Sequence, residues 1–173
     1  MLRQGIKDVI IKAVIKMIKI MFVCHGNICR SPMAEIIFKD MVKKQGIEGE
    51  FLISSSATST EEIWNGVGNP VYEPARRELE RHGIACPHRQ AVQVKKSDYD
   101  EYDMLIAMDQ RNISNLSRML GADKDGKIHK LMEFADGGDV ADPWYYGNFD
   151  KCFDDIYKGC EGLLEYLKRR GEI

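Results

Sequence analysis

Ile18-Lys19-Ile20-Met21-Phe22-Val23-Cys24-His25-Gly26-Asn27-Ile28-Cys29-Arg30-Ser31-Pro32 is the stretch that decides how this chain folds. Its first six residues are apolar and β-prone, broken by a single lysine, as expected of a buried strand. A short loop containing one glycine follows. Ser31-Pro32 then opens a helix, with proline at the first helical position, where its missing N–H costs nothing. Glu35 falls one residue late for a capping box, so the Ser-Pro pair alone marks the start. The helix turns Ala34, Ile37 and Met41 inward and Lys39, Lys43 and Lys44 outward, and Gly46 ends it.

The pattern repeats downstream. Phe51-Leu52-Ile53 reads as a second strand, and Pro74 to His82 as a helix closed by Gly83. Met104 to Met108 is a continuous apolar run, the signature of a strand buried on both faces. Asp109 is a good N-cap for a helix that lines up Ile113, Leu116 and Leu120 and stops at Gly121. Ile128 to Leu131 is a short fourth strand. A last helix carries Phe153, Ile156, Cys160, Leu163 and Leu167 at three- and four-residue spacing. Strands alternating with helices imply a parallel sheet with helices on both faces. No repeat, linker or low-complexity tract divides the chain, so 17–173 reads as one domain.

Composition narrows the class. The 173 residues are 44% hydrophobic and 30% charged, which fits a globular protein and argues against disorder. The net charge of −2 gives no reason to expect nucleic acid as the main partner. No run of apolar residues reaches the length of a membrane span. The five cysteines are Cys24, Cys29, Cys86, Cys152 and Cys160. An odd number without CxxC or zinc-ligand spacing points to free thiols in a reducing cytoplasm. Residues 1–16 are basic and read as an N-terminal appendage outside the core. Lysines break their apolar stretches, which argues against a signal peptide. Lys12, Lys16 and Lys19 would share one face of a helix there, but no stable membrane association is expected.

The loop between the first strand and helix has a chemical use. Such a loop aims successive N–H groups at one point, where they and the helix dipole favour a dianion such as phosphate. They equally favour a thiolate over a thiol. On this reading His25, Gly26, Asn27, Ile28, Cys29 and Ser31 form the phosphate cradle, with His25 as an exposed loop side chain. Arg30 grips two phosphoryl oxygens with its planar fork. Cys24 stands behind the phosphorus for in-line attack, forming a cysteinyl-phosphate. Ser31 is placed to hydrogen-bond the sulfur as it leaves.

Cys24 to Pro32 resembles the signature loop of the low-molecular-weight protein tyrosine phosphatases. Asp142-Pro143-Trp144-Tyr145-Tyr146 is similar to that family's general-acid loop, and the likeness runs from about Met17 to the end. Ser55 to Thr60, Arg76 to Gly83 and Ala107-Met108-Asp109 fit as well. The resemblance implies an α/β three-layer sandwich of flavodoxin-like type around a four-stranded parallel sheet. It implies that Asp142 protonates the leaving phenolate and later activates water. It also implies that Asn27 braces the loop, and that Ile28, Trp64, Tyr145 and Tyr146 wall a slot for the aromatic ring. No cofactor or metal is implied. The expected partner is a tyrosine-phosphorylated protein, such as a bacterial tyrosine kinase. Cys24 and Cys29 match the family pair that forms a protective disulfide under oxidant; a small buried side chain is the alternative for Cys29. His88-Arg89-Gln90-Ala91 matches the family's His-x-Ala-Arg only in part, so no role is carried onto it.

Three other functions share this loop or fold. Arsenate reductase needs two further cysteines after the third strand region, where only Cys86 lies. Protein arginine phosphatases typically have a Thr where this chain has Ile28, a residue better suited to a phenyl ring. A non-catalytic phosphate-binding or redox-sensing module should have lost Cys24, Arg30 or Asp142, and all three are present.

Overall fold

The structure, a computed structural model, describes residues 16–173. The expected appendage therefore lies, up to residue 15, outside the described residues. In chain order the elements are β1 (Ile18–Cys24), α1 (Arg30–Lys44), β2 (Phe51–Ala57), β3 (Ile63–Trp64), β4 (Val67–Gly68) and α2 (Glu73–Arg81). They continue with α3 (Asp98–Glu101), β5 (Met104–Ala107), α4 (Gln110–Leu120), β6 (Ile128–Lys130), α5 (Pro143–Tyr146) and α6 (Phe149–Arg169). Lys19 belongs to β1, so a basic helix reaching Lys19 is ruled out.

The main sheet has the order β2-β1-β5-β6 and every pairing is parallel. Alternation along β1 sorts the core into two layers. Ile20, Phe22 and Cys24 point toward α1 and α6, joining Phe38, Ile156 and Leu163 in one cluster. Met21 and Val23 point the other way, onto Leu105, Ala107 and Leu116 beneath α4. Cys24 thus ends its strand on the face covered by the helix its own loop starts.

The chain leaves β1 toward β2 on one side and later returns to β5 on the other. That reversal opens a crevice beyond the C-terminal end of β1, where open parallel sheets bind ligands. Cys24 pairs with Ala57 and Val23 with Ala107, so the loops after β1, β2 and β5 all emerge at this edge.

Some boundaries differ from expectation. α1 begins at Arg30, which makes Pro32 its third residue rather than its first; the first four helical N–H groups lack intrahelical acceptors, so proline is still tolerated. β2 runs through Ser54, Ser55 and Ser56 to Ala57. The apolar run from Met104 leaves the sheet after Ala107, and Leu131 starts a 3-10 turn instead of ending β6. β3 and β4 form an unexpected hairpin around Asn65-Gly66, whose positive φ values of 49° and 77° suit a tight two-residue turn.

Candidate active site

The loop after β1 is held open from outside. The carbonyl of Cys24 accepts from the Thr58 N–H at 2.9 Å, that of His25 from Ser59 at 3.0 Å, and that of Ile28 from Tyr72 at 2.8 Å. The Asn27 carbonyl accepts from the Arg89 guanidinium at 3.1 Å, and that of Cys29 from the Met33 N–H at 3.1 Å. A loop whose carbonyls are satisfied outward leaves its N–H groups for a ligand at a helix N-terminus. The Asn27 N–H already donates to Cys24 Sγ at 3.3 Å, and Ser31 Oγ lies 3.0 Å from the same sulfur.

Asn27 makes this path possible. It is fully buried and left-handed, with φ 58°, a conformation few non-glycine residues tolerate. Its amide nitrogen donates to Ser31 Oγ at 2.8 Å and to Ser55 Oγ at 3.0 Å. Its amide oxygen accepts from Arg89 at 2.8 Å and from the Val92 N–H at 3.1 Å. Ser55 in turn donates to Glu35 at 2.5 Å, and Arg89 Nε lies 3.6 Å from the same carboxylate. A ring of Asn27, Ser55, Glu35 and Arg89 therefore ties the loop to β2, α1 and the segment before α3. Burial pulls the Arg89 guanidinium below its usual pKa, with Glu35 opposing. Neither Glu35 nor Arg89 was legible as a site residue in the sequence. Serines in β2 were the available signal, since a buried strand has no packing use for three of them.

Arg30 is the centre of charge. Its side chain is only 3% exposed. It donates to Asp109 at 2.6 Å, to the Val140 carbonyl at 2.9 Å and to Asp142 at 3.2 Å. Burial pulls its pKa down, but Cys24, Asp142 and Asp109 outweigh that and hold it above the usual arginine value. Asp109 does two jobs. Oδ1 caps α4 by accepting from the Asn112 N–H at 2.8 Å, in a capping box with Asn112, while Oδ2 anchors Arg30. Asp142 is likewise an N-cap, accepting from the Trp144 N–H at 3.1 Å with Oδ1 and from Arg30 with Oδ2.

These groups line a cleft of about 720 Å³. Cys24, Gly26, Ile28, Cys29 and Arg30 come from the loop and the start of α1. His25 lines it too, bonded to Glu61 at 2.9 Å. Glu62 follows β2, Arg111 follows β5, and Asp139 precedes α5. Trp144, Tyr145 and Tyr146 complete the rim, 56%, 70% and 76% exposed. Trp64 stands apart from this lining. It sits on the β3–β4 hairpin, 71% exposed, and is not among the residues lining the cleft. Asn65-Gly66 after it makes the hairpin turn. Trp144 lines the rim instead, packed on Tyr72 with ring centres 5.2 Å apart.

The remaining thiols are of another kind. Burial pushes Cys29 well above the usual thiol value, with Cys24 and Asp142 adding to the rise. Burial pushes Cys152 up to about 12 and raises Cys160 further. All five cysteines are free. Among the described residues no cluster of three His, Cys, Asp or Glu side chains is arranged to hold a metal ion.

Residues 19–172 match the family model described as low molecular weight phosphotyrosine protein phosphatase. The chain belongs to that family. It is 39% identical over 160 residues to the low molecular weight protein-tyrosine-phosphatase YfkJ of Bacillus subtilis, covering 91% of this chain and all of that one. The crystal structure of YfkJ superposes with a TM-score of 0.84 at 40% identity, covering 90% of this chain and 97% of that one. Staphylococcus aureus PtpA, of the same description, is 34% identical over 159 residues, 91% of this chain and 98% of the other. The structure titled Drosophila arginine phosphatase also superposes, with a TM-score of 0.77 at 26% identity over 87% of this chain and 98% of that one. In this phosphatase fold the expected α/β sandwich and four-stranded parallel sheet are present as read from the sequence.

Proposed function

We propose that this phosphatase hydrolyses phosphotyrosine in proteins by two in-line displacements at Cys24. In the first, Cys24 Sγ attacks phosphorus, the P–O bond to the tyrosyl oxygen breaks, and Asp142 hands its proton to that oxygen. In the second, water attacks the cysteinyl-phosphate, Asp142 takes the water's proton, and the P–S bond breaks. Ser31 donates to the departing sulfur, and inorganic phosphate leaves. The observation that carries this reading is the convergence of Ser31 Oγ and the Asn27 N–H on Cys24 Sγ, at 3.0 and 3.3 Å, with Arg30 and Asp142 joined at the same cleft.

Arg30 serves both steps. Its Nη1 is held by Asp109 and the Val140 carbonyl and one Nη2 N–H by Asp142, so Nε–H and the second Nη2 N–H are the donors left to grip a phosphoryl group beside the Asp142 carboxylate. Loop N–H groups and Arg30 then face the charge that builds on the equatorial oxygens. Ile28, Tyr145 and Tyr146 wall the ring slot, and the bulk of Ile28 favours a phenyl group over a guanidinium. A cytoplasmic setting is supported by five free thiols, and a bacterial tyrosine kinase as substrate by the family resemblance. We also read the phosphatase domain as beginning near Met17. Under oxidant Cys24 and Cys29 pair as a disulfide, a reaction slowed by the raised Cys29 thiol.

The test is phosphate release from phosphotyrosine, phosphoserine and phosphoarginine peptides in parallel, with the Cys24→Ser protein as blank. Turnover on phosphotyrosine alone, absent in the blank, is expected. Preference for phosphoarginine would overturn the role given to Ile28.

A further inference from the structure

Among the described residues, the cleft has one arginine that its own residues leave unmatched. Asp109 and Asp142 are held by Arg30, at 2.6 and 3.2 Å. Asp139 is held by Lys130 at 3.0 Å and caps the Gln110 N–H at 3.2 Å. Glu61 pairs with His25 at 2.9 Å. Arg111, in the first turn of α4, lines the same cleft with an exposed side chain and has no hydrogen bond or ion pair among the described residues. Elsewhere on the surface Arg76, Arg77, Arg81, Arg169 and Arg170 each hold a glutamate. Arg118 is also unpaired, but it lies two turns along α4 and outside the cleft.

The opposite side of the mouth carries the opposite sign. Glu62 follows β2 while Arg111 follows β5, and these strands flank β1 on its two sides. Among the described residues the Glu62 carboxylate has only the neutral Asn69 amide as partner, at 2.7 Å. A peptide laid across the mouth with its phosphotyrosine in the cradle would meet a cation on one flank and an anion on the other.

We propose that Arg111 is a binding subsite for the carboxylate of an acidic residue next to the phosphotyrosine, on the flank away from Glu62. This rests on the phosphatase reading above and names the substrate class within it. An exposed pair of this kind is worth about a two- to five-fold preference. It weakens with salt, because both partners face solvent.

The experiment uses the full chain and phosphotyrosine peptides carrying Glu, Gln or Lys at the position before or after the phosphotyrosine, compared by kcat/KM. The expected result is a preference of about two- to five-fold for Glu over Lys at one flank only, shrinking as salt rises. In Arg111→Gln that ratio falls toward one, and in Arg111→Glu it inverts. Because each ratio is taken within one protein, it is independent of any general loss of activity. Equal rates for Glu, Gln and Lys at both flanks, or a ratio unchanged in Arg111→Glu, would overturn the subsite. A wild-type protein inert on p-nitrophenyl phosphate, which reaches neither flank, would instead overturn the phosphatase reading itself.

Discussion

The two halves of the site are built differently. The cradle is buried: Asn27 is fully enclosed, Cys24 and Arg30 are 3% exposed, and outside donors hold its carbonyls. The acid segment is open, with Tyr145 and Tyr146 more than two-thirds exposed and, among the described residues, the Asp142 carboxylate anchored only through Arg30 and the Trp144 N–H. A group that stabilises developing charge works best when packing fixes it beforehand. A wall that meets varied protein surfaces gains nothing from such rigidity. On this view damage to the cradle should cost kcat, while damage to the rim should cost KM.

Changes at the reacting group of each half, Cys24 in the cradle and Asp142 in the acid segment, should have the largest effects. Cys24→Ser should lower kcat by about 10⁴-fold or more while still binding phosphate, as seen by steady-state kinetics and phosphate titration. Asp142→Asn should lower kcat/KM, which reports the first displacement alone, by about 10²–10⁴-fold on phosphotyrosine peptide, and by less on p-nitrophenyl phosphate, whose leaving group needs little protonation. Equal losses on both substrates would remove the acid role.

Arg89→Ala breaks the ring behind the loop without touching the cleft. It leaves the Asn27 carbonyl and amide oxygen short of a donor, which should cost about 1–3 kcal/mol of stability by urea unfolding. kcat should fall with KM little changed. A loss confined to KM would show that Arg89 contacts substrate rather than the loop. Tyr145→Ala with Tyr146→Ala should raise KM several-fold and spare kcat. The smallest effect concerns thiol chemistry. Iodoacetamide near neutral pH should label Cys24 and spare Cys29, Cys152 and Cys160, because burial keeps those three protonated well above that pH. Inorganic phosphate should protect Cys24, and mass spectrometry of the digest reads both outcomes.

The same contrast explains what was legible beforehand. Ile18 to Pro32 showed a strand, a loop and a helix start because apolar period and Ser-Pro chemistry are local signals. Asp142 was legible only through its likeness to a known acid loop, since Asp before Pro is an ordinary turn. The β2 extension was missed because Ser54-Ser55-Ser56 are poor strand formers, kept there by hydrogen bonds to residues far along the chain. Asp109 was read as a cap, and its second oxygen bound to Arg30 had no local sign. Arg89 and Glu35 meet Asn27 only through the fold. Trp64 was placed on the rim by the family resemblance, while Asn65-Gly66, read as a loop, forms the hairpin turn that follows it.

The most direct measurement of the central claim is to trap the covalent intermediate. Asp142→Ala mixed with p-nitrophenyl phosphate should form the phosphoenzyme without help from an acid and then stall, because no base activates the water. Rapid quenching and peptide mapping should find phosphate on Cys24 alone. Continued turnover with no phosphate on Cys24, or label on another residue, would contradict the account.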